Sequence, residues 1–410
     1  MRKTVCHIDL SNFYNAPEKQ LEVLIRKLSE NDNFHQKLFY RKKLNNRFDN
    51  SPKISPEMVM MFQMKMNMYE NLESVIKKDK LEIIEFERLY LFSLRKEKFL
   101  KQFKECDLIH SHCRKAVLIA YHLFKKFKIP YVVTYHKPIP PNDKLHYKFL
   151  QPHIKKAYQT SSKLITVSNF QQNFLKKWNS KLDNMETIYN TPSFYKNEIN
   201  KGESNFFRTP FNHTIILGMV GKLKDIKNFE VVVEVALRYI KKSPDIQFVL
   251  IGEGETDAIL REKTAKLFNV KMHGFVINIE EHIEYFDAFI LPSTNEALGS
   301  TIVDMFELGK PVIASNVGGI PELIDDEVNG YLFDPNSPDE LEEKIDKLIG
   351  DSILVERLKQ MKLPWLEPIH YGESTDFMKF VKAGQEKAKE LSQDNFLKKH
   401  LNIYNSILEK

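Results

Sequence analysis

Apolar positions along the chain alternate between short unbroken runs and longer stretches with helical spacing. Runs at residues 4–10, 37–40, 82–87, 107–111, 130–135, 164–167 and 186–189 predict buried strands. Between them, apolar residues recur every three to four positions at 17–29, 94–105, 115–126, 145–158 and 169–178, which predicts helices, with a break at Pro152. The pattern lapses over 190–212, where polar residues surround Pro192, Gly202 and Pro210, and this is the expected linker. It then restarts, with strands at 215–220, 246–251, 270–273, 288–291, 311–314 and 330–333 and helices at 229–242, 255–268, 300–308, 337–349 and 353–361. Beyond Pro364 two helical stretches close the chain, the last over 395–408. Strand–helix alternation of this kind predicts an α/β protein with parallel, doubly wound sheets. The expected organisation is a first Rossmann-like domain over 1–205 and a second over 206–365, facing one another across a cleft. Helices over 366–410 follow, the last packing back toward the first domain.

Composition changes this picture in three places. Six methionines fall between Met58 and Met68 in a helical segment that Ser55, Pro56 and Glu57 begin. Adaptable core packing is the expected role of that stripe. Residues 1–200 carry 36 Lys and Arg against 20 Asp and Glu, a net of +16, while the remainder carries 25 against 35, a net of −10. A basic half joined to an acidic one points to an anionic surface or acceptor for the first half, or to a lysine-rich solubilising surface. The three cysteines, Cys6, Cys106 and Cys113, do not make a disulfide framework, which predicts a reducing cytoplasm. No run of 18 apolar residues occurs, and the N-terminus lacks the apolar core of a signal peptide.

Candidate chemistry gathers at predicted strand ends, where ligands of such sheets bind. The strand ending near Pro292 is followed by a polar loop with Glu296, then a helix that begins at Gly299, Ser300 and Thr301 and carries Asp304. A helix N-terminus offers unpaired N–H groups to an anion. With two acids beside it, the unit suits a ligand with both phosphate and hydroxyls, such as a nucleotide sugar. After the strand at 215–220, Gly221, Lys222 and Lys227 could meet a diphosphate. Gly252 and Gly254 follow the next strand but lack the third glycine of a dinucleotide fingerprint, which argues against NAD, and no GxxxxGK[ST] loop is present. His136 stands at the end of the strand at 130–135; by itself it reads as structural or solvated. CDLIHSHC, residues 106–113, brackets two histidines with two cysteines, but its spacing matches no common zinc pattern, and no metal site is expected.

In their order these segments resemble family 4 of the retaining GT-B glycosyltransferases, over about residues 3–350 and the final helix. VGKLKDIKN (220–228), LIGEGE (250–255), HGFV (273–276), NEALGSTIVDMFELGKPVIAS (295–315) and VGGIPELIDDEVNGYLF (317–333) carry the likeness in the second half. LIHSHCRKA, VVTYHKP, LITVSNF and TIYNTP carry it in the first. The resemblance implies that Glu296 contacts the donor sugar, and that Ser300 and Thr301 hold the diphosphate with Lys222 and Lys227. It places Asp304 at the ribose, Phe275 and Val276 near the base, and His136 near the reacting centre. Gly221, Gly252 and Gly299 would let backbone approach the donor. It implies a metal-independent reaction with no cofactor, a nucleoside-diphosphate sugar with UDP as the expected carrier, and retention without a separate nucleophile. Three departures stand out: Asp304 replaces a glutamate, Lys222 an arginine, and Asn15-Ala16-Pro17-Glu18 the paired glycines of the first loop.

The expected function is therefore hexosyl transfer to a cell-surface glycan or glycolipid, of lipopolysaccharide or capsule type. The enzyme would be cytoplasmic and peripheral on the inner face of the membrane, with no nucleic-acid partner. A nucleotide-sugar epimerase of the same fold and a non-enzymatic protein that binds anionic polymers are the competing readings.

Overall fold

The computed structural model describes residues 2–11, 15–41, 56–86, 100–136, 145–194, 215–243, 246–276, 279–360 and 376–409. The chain divides into two compact units, residues 1–193 with 392–410, and residues 194–391. Residues 94–99 of the helix expected over 94–105 and residues 195–212 of the linker expected over 190–212 lie outside the described residues; of the remainder of that helix, 102–105 form turns.

Unit 1 is built from β1 (Lys3–Asp9), α1 (Ala16–Ser29), β2 (Phe34–Arg41), α2 (Pro56–Val75), β3 (Leu81–Phe86), β4 (Leu108–Ser111), α3 (Arg114–Phe127), β5 (Tyr131–Tyr135), α4 (Leu145–Thr160), β6 (Lys163–Thr166), α5 (Asn169–Trp178) and β7 (Met185–Thr187). Its seven strands are all parallel, in the order β3-β2-β1-β4-β5-β6-β7. Strands buried on both faces need continuous apolar runs, and β4 and β5 are buried at every residue. Alternate positions of β1 enter different layers. Cys6 and Ile8 pack with α3, whereas Val5 packs with α1 and the C-terminal helix. Helix α4 runs through Pro152, so the expected break there is corrected.

Cys6 and Cys106 are joined as a disulfide, their Cα atoms 6.0 Å apart. This corrects the expectation drawn from the cysteine count. Parallel pairing sets Val5 opposite Leu108 and brings Cys106, 100 residues away in sequence, beside Cys6. Three scattered cysteines carry no sign of that register, and the argument from their number to a reducing compartment falls with it.

Unit 2 contains β8 (Ile215–Val220), α6 (Phe229–Lys242), β9 (Ile246–Ile251), α7 (Asp257–Thr264), β10 (Val270–Gly274), α8 (Ile279–Ile283), β11 (Ala288–Leu291), α9 (Ser300–Glu307), β12 (Val312–Ser315), β13 (Tyr331–Phe333), α10 (Pro338–Gln360) and α11 (Asp376–Glu390). Its six parallel strands run β10-β9-β8-β11-β12-β13. The helices expected at 337–349 and 353–361 are one, α10. The two helices after Pro364 belong to different units: α11 packs on α9 and α10 in unit 2. Gly384 of α11 has no room for a Cβ, which would lie 2.6 Å from the Phe306 ring, and Asp376 accepts a hydrogen bond from Tyr331 at 2.6 Å. The last helix, α12 (Gln393–Leu408), starts at its Ser392 cap and packs on α1 through Phe396, Ile403 and Tyr404. Among the described residues no helix is long and apolar enough to cross a membrane.

Candidate active site

In unit 2 the loops after β8, β9, β11 and β12 hold one another through backbone contacts that only glycine permits. The turn after β9 lies against the turn after β8: Gly221 N–H donates to Ile251 O at 3.0 Å, and a Cβ on Gly252 (φ +142°) would lie 1.9 Å from Gly221 O. The second contact of this kind decides the position of Glu296. Gly318 (φ +59°) presses on the loop after β11, and a Cβ there would lie 1.9 Å from Glu296 O. Gly319 N–H donates to that same carbonyl at 3.2 Å. From the opposite side, Thr294 N–H donates to Ile226 O at 2.9 Å. Buried Ser293 donates its hydroxyl to Glu296 Oε1 at 2.9 Å. Glu296 is thus fixed at its backbone and its carboxylate.

Lys227 closes a single 3-10 turn, Asp225–Lys227, and its ammonium pairs with Glu296 Oε1. The left-handed Asn228 (φ 51°) then turns the chain into α6, with its side-chain amide bound to Pro335 O at 2.7 Å. Two sequence segments 69 residues apart are joined by this ion pair. Gly299 (φ +86°) caps α9, and Ser300, Thr301 and Asp304 are half-buried on its first turns. Lys222, Phe275 and Val276 are half-buried at neighbouring strand ends; Phe275 N–H points at Glu253 Oε1, 3.5 Å away. Every residue expected to hold a donor therefore lies in unit 2 at the carboxyl ends of its strands. The sequence reading missed the bracing by Gly318, Gly319, Ser293 and Thr294. The GG pair was visible as a turn, but its partner could be found only once the sheet was assembled.

Residues 201–362 match the family described as Glycosyl transferases group 1, and residues 70–191 match Glycosyltransferase Family 4. An uncharacterized glycosyltransferase of Methanocaldococcus jannaschii is 30% identical over 269 residues, 60% of this chain and 67% of that protein. The chain belongs to the group 1, family 4 glycosyltransferases. An Escherichia coli UDP-Gal:alpha-D-GlcNAc-diphosphoundecaprenol alpha-1,3-galactosyltransferase is 25% identical over 281 residues, 64% of this chain and 69% of its own. The crystal structure of Anabaena HepE in complex with UDP and glucose superposes with a TM-score of 0.71 at 16% identity, covering 99% of this chain and 100% of that one. The fold is GT-B, two Rossmann-like domains, and the protein is a glycosyltransferase enzyme.

His136, expected at the reacting centre, belongs to unit 1. It follows β5, half-buried, and its Nε2 is buried without a hydrogen-bond partner. Burial pushes its pKa down to about 4, so the ring is neutral at pH 7. A small cavity lies beside it, lined also by Gln20, His112, Thr134, Asn190 and His400. Gln20 of α1 clasps the Thr191 backbone at 2.8 and 3.0 Å. These two bonds tie the TIYNTP segment, residues 187–192, to α1.

The loop after β1 is anchored by charges. Lys65 of the methionine-rich α2 is fully buried, with Nζ 2.6 Å from Asp9 Oδ2 and 2.8 Å from Ser11 O. Tyr69 donates to the same Asp9 oxygen at 3.0 Å. Burial opposes the Asp9 charge, but Lys65 and the Ser11 hydrogen bonds hold its pKa below the usual value. Glu18, which accepts Asn15 N–H at 2.8 Å, is raised to about 7 by burial and by the nearby Asp9 charge. Only part of the α2 stripe is core packing: Met61, Met68 and Leu72 are buried, the latter two beside α1, whereas Met64 and Met66 are half-buried and Met60 and Val75 are exposed. Lys65 was hidden among them.

Proposed function

We propose that this enzyme transfers a hexose or related sugar, with retention at the anomeric carbon, from a nucleoside diphosphate to a glycan or glycolipid acceptor. UDP is the proposed carrier, and a lipid-linked or outer-surface saccharide of lipopolysaccharide or capsule type is the proposed acceptor. The observation that carries this reading is the Lys227–Glu296 ion pair beside the start of α9. A paired cation and carboxylate next to a helix start support a site for a diphosphate beside a sugar.

In this reading Lys222, Lys227 and the N–H groups at Ser300 and Thr301 bind the diphosphate. Charge accumulates on the leaving phosphate in the transition state, and fixed cations stabilise it with no metal in the donor site. Glu296 holds the sugar hydroxyls, Asp304 the ribose, and Phe275 with Val276 flank the base. Gly221, Gly252 and Gly299 keep backbone close to the ligand. No side chain acts as a nucleophile; the leaving phosphate oxygen takes the acceptor proton. His136, neutral, positions the reacting groups. The basic first half, net +16 over residues 1–200, favours an anionic lipid or phosphorylated saccharide, each lysine near such a surface contributing about 1 kcal/mol. The protein would then work from the inner face of the cytoplasmic membrane. Support comes from the Escherichia coli relative, whose donor is UDP-Gal and whose acceptor is diphosphoundecaprenol-linked, and from the UDP and glucose bound by HepE.

A panel of nucleotide sugars, read by thermal shift and then by transfer to lipid-linked saccharides, tests this. One donor should stabilise the chain by mass action, and Lys227→Ala or Glu296→Ala should lower its transfer by about 10²–10³-fold, the usual effect of losing one fixed group at developing charge. Parent-level turnover in both variants defeats the assignment.

A further inference from the structure

Three histidines that the sequence spacing left apart converge on one face of the first sheet. Strand register sets His7 of β1 opposite His110 of β4, and His112 follows β4 directly. One ring nitrogen of each lies within 4.8 Å of the others, and all three residues are buried. His7 Nδ1 and His112 Nε2 are 3.2 Å apart. Two nitrogen ligands on a tetrahedral zinc ion, each at about 2.0–2.1 Å, stand about 3.3 Å from each other. That pair already has the separation of two metal ligands.

The surroundings provide what ligating imidazoles require behind them, an oxygen partner for the second ring nitrogen. His110 Nδ1 meets Tyr404 OH at 2.6 Å, and its Nε2 meets Thr134 Oγ1 at 2.7 Å. Either contact can remain as the orienting bond while the other nitrogen turns to an ion. His7 Nε2 is buried with no hydrogen-bond partner, and so is Oε1 of Gln36 on the adjacent β2, whose side chain neighbours it. A proton on Nε2 directed at Gln36 leaves the Nδ1 lone pair facing His112. His112 also lines the small cavity beside His136.

We propose that His7, His110 and His112 form a tri-imidazole site for a first-row divalent cation of the zinc class. Neutral imidazole suits zinc, cobalt, nickel and copper, whereas magnesium and calcium favour oxygen ligands, which this trio lacks. In the ion-free pair one of the two facing nitrogens carries a proton; on loading, that proton moves to the other nitrogen of its own ring. The ion clamps β1 to β4 beneath α12, in the unit that does not carry the donor loops, so it is a structural clasp and stands apart from the metal-free transfer proposed above.

The test uses the full-length chain stripped with chelator. Zn²⁺ titration, thermal unfolding and Co²⁺ absorption are measured for the parent, His7→Gln, His112→Gln and, as a surface control, His153→Gln, which is exposed. The expected result is one equivalent bound at micromolar or lower Kd, a raised Tm, and the intense visible bands of four-coordinate Co²⁺. Both cluster variants should lose that equivalent and His153→Gln should keep it. No stoichiometric binding, or undiminished binding in His7→Gln and His112→Gln, overturns the proposal. If the cluster variants do not fold, the parent's Co²⁺ spectrum decides. Weak six-coordinate bands overturn the site, as does a thiolate charge-transfer band, which would put the ion on Cys113.

Discussion

Removing the buried ammonium of Lys65 should destabilise unit 1 in a way that depends on pH. Lys65 and Asp9 are 0% and 2% exposed at their side chains, with Nζ and Oδ2 2.6 Å apart. Lys65→Met keeps the apolar stem but leaves Asp9 charged, buried and held only by Tyr69 and Ser11. Breaking one side of a buried pair costs about 3–5 kcal/mol. Urea unfolding followed by Trp178, in a Trp365→Phe background so that only unit 1 reports, should move its midpoint down by about 1.5–2.5 M at a slope of about 2 kcal/mol/M. The sign with pH follows from Asp9. In the parent its folded pKa is depressed, so its stabilisation is present above the unfolded value and is lost as pH falls through the folded one. Without Lys65, burial raises that pKa, and the deficit appears as pH rises. The gap between parent and variant must therefore shrink between pH 8 and pH 5, and Lys65→Met with Asp9→Asn must recover part of the loss at pH 8. A deficit under about 1 kcal/mol, or one equal at the two pH values, refutes the account.

Three further outcomes follow from the same contacts. Glu18, raised to about 7, contributes stability that is full below its unfolded pKa near 4.5 and lost as pH climbs through 7. Parent stability should accordingly fall between pH 5 and 8, and Glu18→Gln, which can still accept the Asn15 N–H, should flatten that slope in the same urea assay. Gly318→Ala should cost about 1–3 kcal/mol and weaken nucleotide-sugar binding by calorimetry, because φ +59° and the Glu296 carbonyl both exclude a Cβ; parent-level affinity would show that the brace does not set the loop. Asp304→Ala should weaken the nucleotide sugar about tenfold or more, with Asp304→Glu at least as tight as the parent, read as donor Kd.

Much of the fold was legible because a parallel sheet covered on both faces leaves unbroken apolar runs. Strands β8, β9 and β11 and helices α5 and α6 fall on the residues that periodicity marks. Element ends drifted where no cap or breaker stood, as at β7. Pro152 misled because its local effect on the helix is overridden inside α4. The residues proposed to hold the donor stood out in the sequence for a different reason. Each sits within a few positions of a glycine or a strand end, so local sequence carries its surroundings.

The features that stayed hidden depend on strand order. Cys6 with Cys106, His7 with His110, Lys65 with Asp9 and Gly318 with Glu296 all meet across elements that are distant in the chain. Two of these meetings follow from one fact, the pairing of β1 with β4. Along β1, Cys6 points to one layer and His7 to the other, so a single register places a disulfide on one face and the histidine trio on the opposite face. Slipping that register by one residue would exchange the two faces and bury Cys6 where the imidazoles now meet. The disulfide is thus a check on the proposed clasp. Separating β1 from β4 would scatter the histidine trio, while the covalent Cys6–Cys106 bond keeps the two segments tethered until a reductant cleaves it, so chelator and reductant should act on the same unit and leave the Gly318–Glu296 brace in the other one unchanged.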